Sequence, residues 1–321
     1  MNQASSPAAK TLRRQDVCTL FEGDYHYGVG ALVNSLVRSG YKGTVWAGYR
    51  GALPPWVSQL TPLKEAGQYM VADQLRLAFI PLNVSFHFAN YKPDFMLELL
   101  ANQAREADYL WYFDPDICVR CNWSFFEKWA RHGVAICQDA TNNIIPANDP
   151  LCYQWLEVGE SEGLGQGRPL GHYFNSGMVG VEPAHKSFLQ LWKRMIAVGV
   201  ERGCSIQRIV SLRRDLPFHV LDQDAMVIAA MFTEHPLTTM APDAMGFVPG
   251  GYVMYHVRGP KPWRGSLLRR ALGGVAPCSA SKFYFTQASS PIRLYSPLHF
   301  RFKLLGCALA AALGRFYHRS R

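Results

Sequence analysis

The sequence lacks the features that would place it at once in several large classes of protein. Neither a Gly-x-Gly-x-x-Gly motif nor a P-loop lysine motif is present, so we expect no standard dinucleotide site and no ATPase phosphate loop. The first ten residues are small and polar, and we therefore expect no secretory signal peptide. The apolar stretch at residues 304–313 is shorter than the roughly 20 residues that a membrane-spanning helix needs.

Cysteine is present but forms no recognisable framework. The eight cysteines are scattered, and only Cys118 and Cys121 stand at a Cys-x-x-Cys spacing, with no second pair to complete a zinc site. We therefore treat that pair as incidental, expect reduced thiols and predict a cytoplasmic protein.

What the chain does have is length, apolar residues and positive charge. Its 321 residues are 49% hydrophobic and 13% aromatic, which allows a sizeable core in one large domain or two small ones. The net charge of +9 suits an anionic partner such as a nucleotide, a nucleic acid or an acidic membrane surface. No recognised nucleic-acid-binding motif is present, so we expect no nucleic-acid partner.

Segments typical of strands alternate with segments typical of helices along the chain. We predict strands at residues 17–21, 44–48, 75–82, 109–113, 134–137, 174–181 and 252–257. We predict helices at residues 30–38, 92–105, 122–131, 153–158, 186–198 and 224–232. The alternation predicts an α/β fold with a mostly parallel central sheet flanked by helices.

Two acidic residues directly follow one of these strands. The strand Tyr109–Phe113 is entirely apolar or aromatic, as a strand buried on both faces would be, and Asp114 and Asp116 come after it. Ligands of open α/β sheets bind at the carboxyl ends of the strands. Carboxylates in that position suit Mg²⁺ or Mn²⁺, which in turn bind phosphates. The alternative is a turn in which Asp114 caps the next segment.

Two further polar clusters interrupt apolar segments. In Phe-Asn-Ser-Gly, Asn175 and Ser176 break a strand before Gly177, which indicates either a β-bulge or an amide offered to a sugar hydroxyl. In Asp-Gln-Asp, residues 222–224 open a helix. One acid is enough to cap a helix, so two acids and an amide favour hydrogen bonding to a polyol.

A fourth motif and an aromatic segment complete the candidate site. His256 ends a strand, Gly259 lets backbone approach a ligand, and Lys261 supplies a point charge suited to phosphate. Tyr25 lies in a glycine-rich segment after the first strand and is either a stacking partner for a base or a packed tyrosine.

The order of these motifs resembles that of one enzyme family. An acidic pair, Phe-Asn-Ser-Gly, Asp-Gln-Asp and then His-x-x-Gly-x-Lys-Pro-Trp are similar to the retaining glycosyltransferases of family 8, which include glycogenin and bacterial lipopolysaccharide galactosyltransferases. The resemblance covers residues 16–264 and implies a GT-A fold, a Rossmann-like catalytic domain. It also implies transfer of a hexose from a nucleotide sugar, most often a UDP-sugar, to a glycan, glycolipid or other hydroxyl acceptor in surface polysaccharide synthesis.

The resemblance assigns a role to each candidate residue. Mn²⁺, or Mg²⁺, would be held by Asp114, Asp116 and His256. The donor would be bound by Tyr25 and Glu22 at the nucleoside, by Gly259 and Lys261 at the phosphates, and by Asn175, Asp222 and Gln223 at the sugar. Lys92 would be the counterpart of the basic residue that precedes the acidic pair in the family, and Ser176 and Trp263 are further donor-binding candidates. The reacting sugar would be faced by the catalytic candidates Asp222, Gln223 and Asp224.

The resemblance ends near Arg264 and suggests three parts. We expect a flexible N-terminus at residues 1–11, the GT-A catalytic domain at 12–264 and a basic, apolar extension at 265–321. Basic and apolar residues at 293–321 are typical either of a membrane-interface segment or of a helix packed on the body. A membrane interface would place the protein peripherally at the inner face of the membrane.

Two other hypotheses assign different functions to the same residues. A GT-A fold can also support an inverting or nucleotidyl-transfer reaction, in which Asp222 or Asp224 would act as the general base. A non-catalytic module that binds a nucleotide sugar or a nucleic acid is the third hypothesis, which the positive charge permits.

Overall fold

The computed structural model describes residues 14–140, 144–211 and 215–316. The expected flexible segment 1–11 lies outside these residues. Within them the strands are β1 Gln15–Glu22, β2 Gly43–Arg50, β3 Thr61–Pro62, β4 Gln68–Ala72, β5 Leu75–Pro81, β6 Tyr109–Phe113, β7 Ile117–Val119, β8 Val134–Gln138, β9 Phe174–Val181, β10 Leu237–Met240 and β11 Met254–His256.

The α-helices of the same part of the chain lie between and after these strands. They are α1 His26–Ser39, α2 Lys92–Ala101, α3 Ser124–Trp129, α4 Pro150–Ser161, α5 Lys186–Glu201, α6 Leu221–Phe232, α7 Leu267–Leu272, α8 Ser279–Gln287 and α9 Pro297–Leu313.

One nine-stranded sheet forms the centre of the protein, in the order β10-β8-β9-β6-β1-β2-β5-β4-β3. The four strands β6, β1, β2 and β5 are mutually parallel, and β9 and β4 run against their neighbours. Seven of the nine described strands therefore point the same way, as the alternation of strands and helices predicts. Every residue of β6 is buried, because helices and loops cover both faces of the sheet at its middle.

A small second sheet places the last strand beside the acidic pair. β11 pairs antiparallel with β7, and the register sets His256 opposite Ile117. The backbone N–H of Val257 donates to the carbonyl of Asp116 at 3.1 Å, which extends the pairing by one contact. Residues about 140 positions apart in sequence are thereby brought to one point in space.

Strand β9 carries an irregularity at Phe-Asn-Ser-Gly. Against β8, Val179 pairs with Ile136 while Asn175 pairs with the next residue, Cys137, so three residues of β9 bulge from the ladder. Because β9 is antiparallel to β6, this bulge lies at the edge of the sheet where β6 ends. The β-bulge interpretation is confirmed, and the bulge itself directs Ser176 and Gly177 toward the acidic pair.

The residues after 264 pack against the part of the chain that forms the central sheet. Tyr284, Ile292 and Cys307 belong to the same buried cluster as Val17 and Trp111 of the central sheet. Asn34 of α1 joins the two parts: its amide donates to the carbonyls of Gln287 and Ile292 and accepts from the N–H of Ile292, at 2.7–2.8 Å. All eight cysteines are free thiols, and no helix of the described residues is long and apolar enough to cross a membrane.

We predict that Asn34→Ala lowers the free energy of unfolding by roughly 2–3 kcal/mol, because it leaves three buried backbone groups without partners. Thermal and urea denaturation measure the effect. The control is Asn102→Ala, since Asn102 makes a similar side-chain hydrogen bond at an exposed helix end. Equal destabilisation by the two variants would contradict the view that Asn34 fastens the C-terminal residues to the body.

Candidate active site

A cleft of about 270 Å³ opens at the edge of the sheet where β1 and β6 end. Helices α2 and α6 begin at this edge, and the bulge of β9 forms part of its floor. Apolar, aromatic, acidic and basic side chains all line it. The candidate residues on its wall are Glu22, Tyr25, Lys92, Asp114, Asp116, Asn175, Ser176, Asp222, Gln223, His256 and Lys261.

Asp114, Asp116 and His256 meet at one end of the cleft. His256 Nε2 lies 3.3 Å from Asp116 Oδ1 and 3.7 Å from Asp114 Oδ2, and the three possible ligand atoms are all within 4.8 Å of one another. Gly177 lies against this group: a Cβ there would come within 3.0 Å of both His256 and Asp114. The cluster therefore has the donor set of a divalent cation site, two carboxylates and one imidazole.

Lys261 neutralises the buried Asp116. Its ammonium contacts Asp116 Oδ2 and also donates to the carbonyl of Val257 at 2.7 Å. Burial would raise the pKa of Asp116, but His256 and Lys261 outweigh it and hold that pKa well below its ordinary value. For Lys261 burial acts in the opposite sense, and the Asp116 carboxylate keeps its pKa above the ordinary value. Both groups are charged at neutral pH.

Lys92 is the second buried cation and bridges two carboxylates. Its Nζ is 3.1 Å from Asp114 Oδ1 and 3.0 Å from Asp222 Oδ2, and it donates to the carbonyl of Ser176 at 3.2 Å. Its side chain is 4% exposed. Burial alone would lower the pKa of Lys92, but the two carboxylates raise it above the ordinary value. The charge of Lys92 therefore persists throughout the physiological pH range.

A network of amides and carboxylates holds the polar side chains of the cleft that lie beyond Lys92, with Asp139 behind them. Asp139 Oδ2 accepts from Asn175 at 2.8 Å and from Gln223 Nε2 at 3.3 Å, and Gln223 Oε1 accepts from Asn175 at 3.3 Å. Arg258 lies 3.7 Å from the other oxygen of Asp139. One acceptor nearby is unmet: Asp222 Oδ1 is buried and has no hydrogen-bond partner among the described residues.

Three candidate residues do not line the cleft. Asp224 is directed into the protein, where it accepts from the hydroxyl of Tyr173 and the N–H of Val220, each at 2.7 Å. Trp263 is buried behind Tyr25, with ring centroids 5.6 Å apart. Gly259 is an exposed turn residue with φ +72°. The structure gives Asp224 a helix-anchoring position rather than contact with a ligand, because its acceptor sites are already filled.

The sequence motifs missed several residues that line the cleft or support its wall. Asp139 directly follows β8, so the strand-end rule that identified Asp114 would also have identified it. Tyr112 donates to Asp114 Oδ1 at 3.0 Å, and its place within an apolar strand gave no sign of that bond. His87 and Phe88 reach the cleft from a loop outside every motif.

Comparisons with known proteins bear on the fold. No protein-family model matches the sequence, and no curated protein matches it. Among solved structures, the apo structure of the bifunctional glycosyltransferase WbbM matches with a TM-score of 0.52 and 13% sequence identity. The match covers 94% of this chain and 53% of WbbM, so the chain spans about half the length of that protein. The expected fold class is thus confirmed: the chain has a Rossmann-like α/β fold similar to that of this solved glycosyltransferase.

We predict that Asp224→Asn makes the stability of the protein less dependent on pH. Burial raises the pKa of Asp224 to about 7. The folded chain then holds a proton that the unfolded chain has lost above pH about 4, so stability from this group is present below that pH and declines up to about 7. The amide of asparagine can reproduce the protonated acid by donating to Tyr173 and accepting from Val220.

Thermal unfolding between pH about 4 and about 8 measures this effect. The variant should gain in melting temperature relative to the parent protein as pH rises through this range. Asp73→Asn, at an exposed turn, is the matched control. Parallel curves for Asp224→Asn and the parent protein would contradict a raised pKa at Asp224.

Proposed function

We propose that the protein is a metal-dependent, retaining glycosyltransferase that moves a hexose from a UDP-sugar to a hydroxyl of a glycan or glycolipid. One observation carries this proposal: a cation-binding set of two carboxylates and an imidazole shares a single cleft with a lysine and a polar network. The glycosyltransferase fold supports it. We further propose that the protein works in surface polysaccharide synthesis, at the cytoplasmic face of a membrane.

The residues at the acidic end fit Mn²⁺ or Mg²⁺. Asp114 and Asp116 offer hard oxygen ligands and His256 offers a nitrogen, a combination that suits Mn²⁺ well. Such a cation, when bound, neutralises charge on the diphosphate of the donor. Lys92 and Tyr112 hold the outer oxygen of Asp114, so that this carboxylate is oriented before any ligand arrives.

Lys261 supplies a second positive charge where the leaving diphosphate would lie. Charge develops on that group as the bond to the sugar breaks, and a preplaced ammonium stabilises the charge without proton transfer. Its contact with Asp116 shows that the lysine reaches the ligand set. We infer that Lys261 exchanges Asp116 for a phosphate oxygen when metal and donor bind.

The network of Asp222, Gln223 and Asn175 is suited to a hexose. The unmet oxygen of Asp222 is an acceptor for a sugar hydroxyl, and the amides of Asn175 and Gln223 offer donors and acceptors beside it. Carboxylate and amide oxygens also stabilise the oxocarbenium character of the reacting sugar. At the opposite end, Tyr25 and Glu22 would contact the nucleoside, and Arg50 orients Glu22 through bonds of 2.6 and 2.9 Å.

In the proposed reaction, the acceptor oxygen attacks C1 of the sugar from the side that the diphosphate leaves. The bond from C1 to the diphosphate breaks, the bond from C1 to the acceptor oxygen forms, and the acceptor proton passes to a diphosphate oxygen. The configuration at C1 is then retained. Gln223 would lie near the opposite face of the sugar and help to hold it.

The contacts of the acidic residues argue against the inverting alternative. An inverting enzyme needs a free carboxylate as general base. Asp222 is paired with Lys92 and Ser176, and Asp224 is turned away from the cleft. The anomeric configuration of the product, measured by NMR, separates the two outcomes, and a binding module would form no product.

We predict slow hydrolysis of one UDP-sugar that depends on Mn²⁺ or Mg²⁺ and stops with EDTA. Release of nucleoside diphosphate from UDP-, GDP-, ADP- and CMP-sugars is the measurement. Asp116→Asn and His256→Ala should lower the rate by about a hundredfold or more, since they remove metal ligands. Asp73→Asn should leave it unchanged. Metal-independent release, or release with either ligand variant at the parent rate, would contradict the metal assignment.

We also predict that Lys261→Met binds Mn²⁺ more tightly than the parent protein in the absence of donor, because no ammonium competes for Asp116. Isothermal calorimetry with Mn²⁺ alone measures this. The same variant should hydrolyse donor at least tenfold more slowly, since the charge beside the diphosphate is lost. Lys128→Met on α3 serves as the control, and weaker Mn²⁺ binding by Lys261→Met would contradict the exchange.

A further inference from the structure

The outer face of α9 is apolar, although it is exposed. Leu298, Phe302, Leu305 and Leu309 follow one another at steps of four, three and four residues, so they form one stripe along the helix. Their residues are 65%, 63%, 57% and 46% exposed. Cys307 and Ala310, on the opposite side of the helix, are buried against the body. The helix therefore has two apolar faces, of which the body covers one.

Exposed apolar side chains also occur near the C-terminal end of α9. Phe316, just beyond α9, is 86% exposed. Leu272, the last residue of α7, is 69% exposed, and Val275 is 56% exposed. Four exposed apolar side chains in one row along a helix are typical of an interaction site rather than of ordinary surface.

The charge of this part of the chain identifies the partner. Residues 265–321 contain nine lysines and arginines and no aspartate or glutamate, so they carry the whole net charge of +9 while residues 1–264 are balanced. Arg301 and Arg315 are exposed beside the stripe, and Arg269 is exposed on α7. A second copy of the chain would bring like charges together. A surface with exposed apolar side chains among basic ones fits an anionic lipid bilayer.

We propose that the outer face of α9, with Phe316 beyond its end, is a docking surface for anionic membranes. The apolar stripe enters the boundary between headgroups and acyl chains, and the arginines contact lipid phosphates. The inner face of α9 contacts the segment that follows Lys261, because Lys303 donates to the carbonyls of Trp263 and Gly265 at 3.4 and 3.3 Å. Docking would bring the protein to lipid-linked acceptors, a consequence that rests on the proposed function.

Vesicle binding tests the proposal without any donor or acceptor. The full chain is sedimented with phosphatidylcholine vesicles and with vesicles that contain about one third phosphatidylglycerol. We expect binding to the anionic vesicles only, weakened by high salt. Phe302→Gln with Leu305→Gln should weaken it at least tenfold, and so should Arg301→Glu with Arg315→Glu.

Matched controls and thermal melts keep the test decisive. Ile144→Gln removes an exposed apolar side chain elsewhere, and Arg131→Glu reverses an exposed charge elsewhere. Both controls should bind vesicles as the parent protein does, and all variants should melt as it does because the changed residues are exposed. The proposal is overturned by equal binding to neutral vesicles or by full binding of the apolar double variant. It is also overturned by a dimer in solution that the double variant dissociates, or by nucleic-acid binding in place of vesicle binding.

Discussion

The buried ammonium of Lys92 is the interaction on which the arrangement of the cleft depends. It lies at the start of α2 and joins Asp114 after β6, the bulge of β9 at Ser176 and Asp222 at the start of α6. Without it, the carboxylates of Asp114 and Asp222 would lie near each other with no ammonium between them. Removing one partner of such a pair costs about 3–5 kcal/mol, because the remaining charge is buried without compensation. Lys92 thus joins the carboxylate of Asp114 to the start of α6, which carries Asp222.

The bulge of β9 also shapes this site, through steric contacts. Regular pairing would continue the ladder past residue 177, but the bulge moves three residues out of register toward Asp114. Gly177 then lies so close to His256 and Asp114 that a side chain would displace one of them. The Asn175 side chain accepts from the N–H of Gly177 at 3.0 Å and stabilises the bulge while its amide group donates to Asp139. Packing and polar contacts therefore place the same few residues, which explains why the irregularity and the polar motif coincide.

Much of this was predictable from sequence, and the exceptions have physical reasons. The strand Tyr109–Phe113 and the strand Phe174–Val181 were predicted with correct bounds, because each ends two residues before a proline, which marks a turn. The short strands β3, β4, β7 and β10 were missed, since two to five residues carry little periodicity. The helix predicted to reach residue 105 ends at Ala101. Asp224 was assigned to the site because of its neighbours in sequence. Successive residues of a helix point in different directions, which the sequence alone does not show.

The distribution of charge divides the chain more sharply than its packing does. Tyr284 and Ile292 belong to the same core as the central sheet, so the boundary expected at residue 264 does not separate two cores. Yet residues on one side of it are electrically balanced, and residues on the other side have no acidic group. The packing of a hydrophobic core does not require this uneven distribution of charge. Net charge affects association with partners rather than the fold. The membrane docking proposed for α9 would use both this charge and the exposed apolar stripe. Trp263 lies between the two regions, with Tyr25 on one side and Tyr284 on the other, and it gives the cleft and the basic surface a common rigid support.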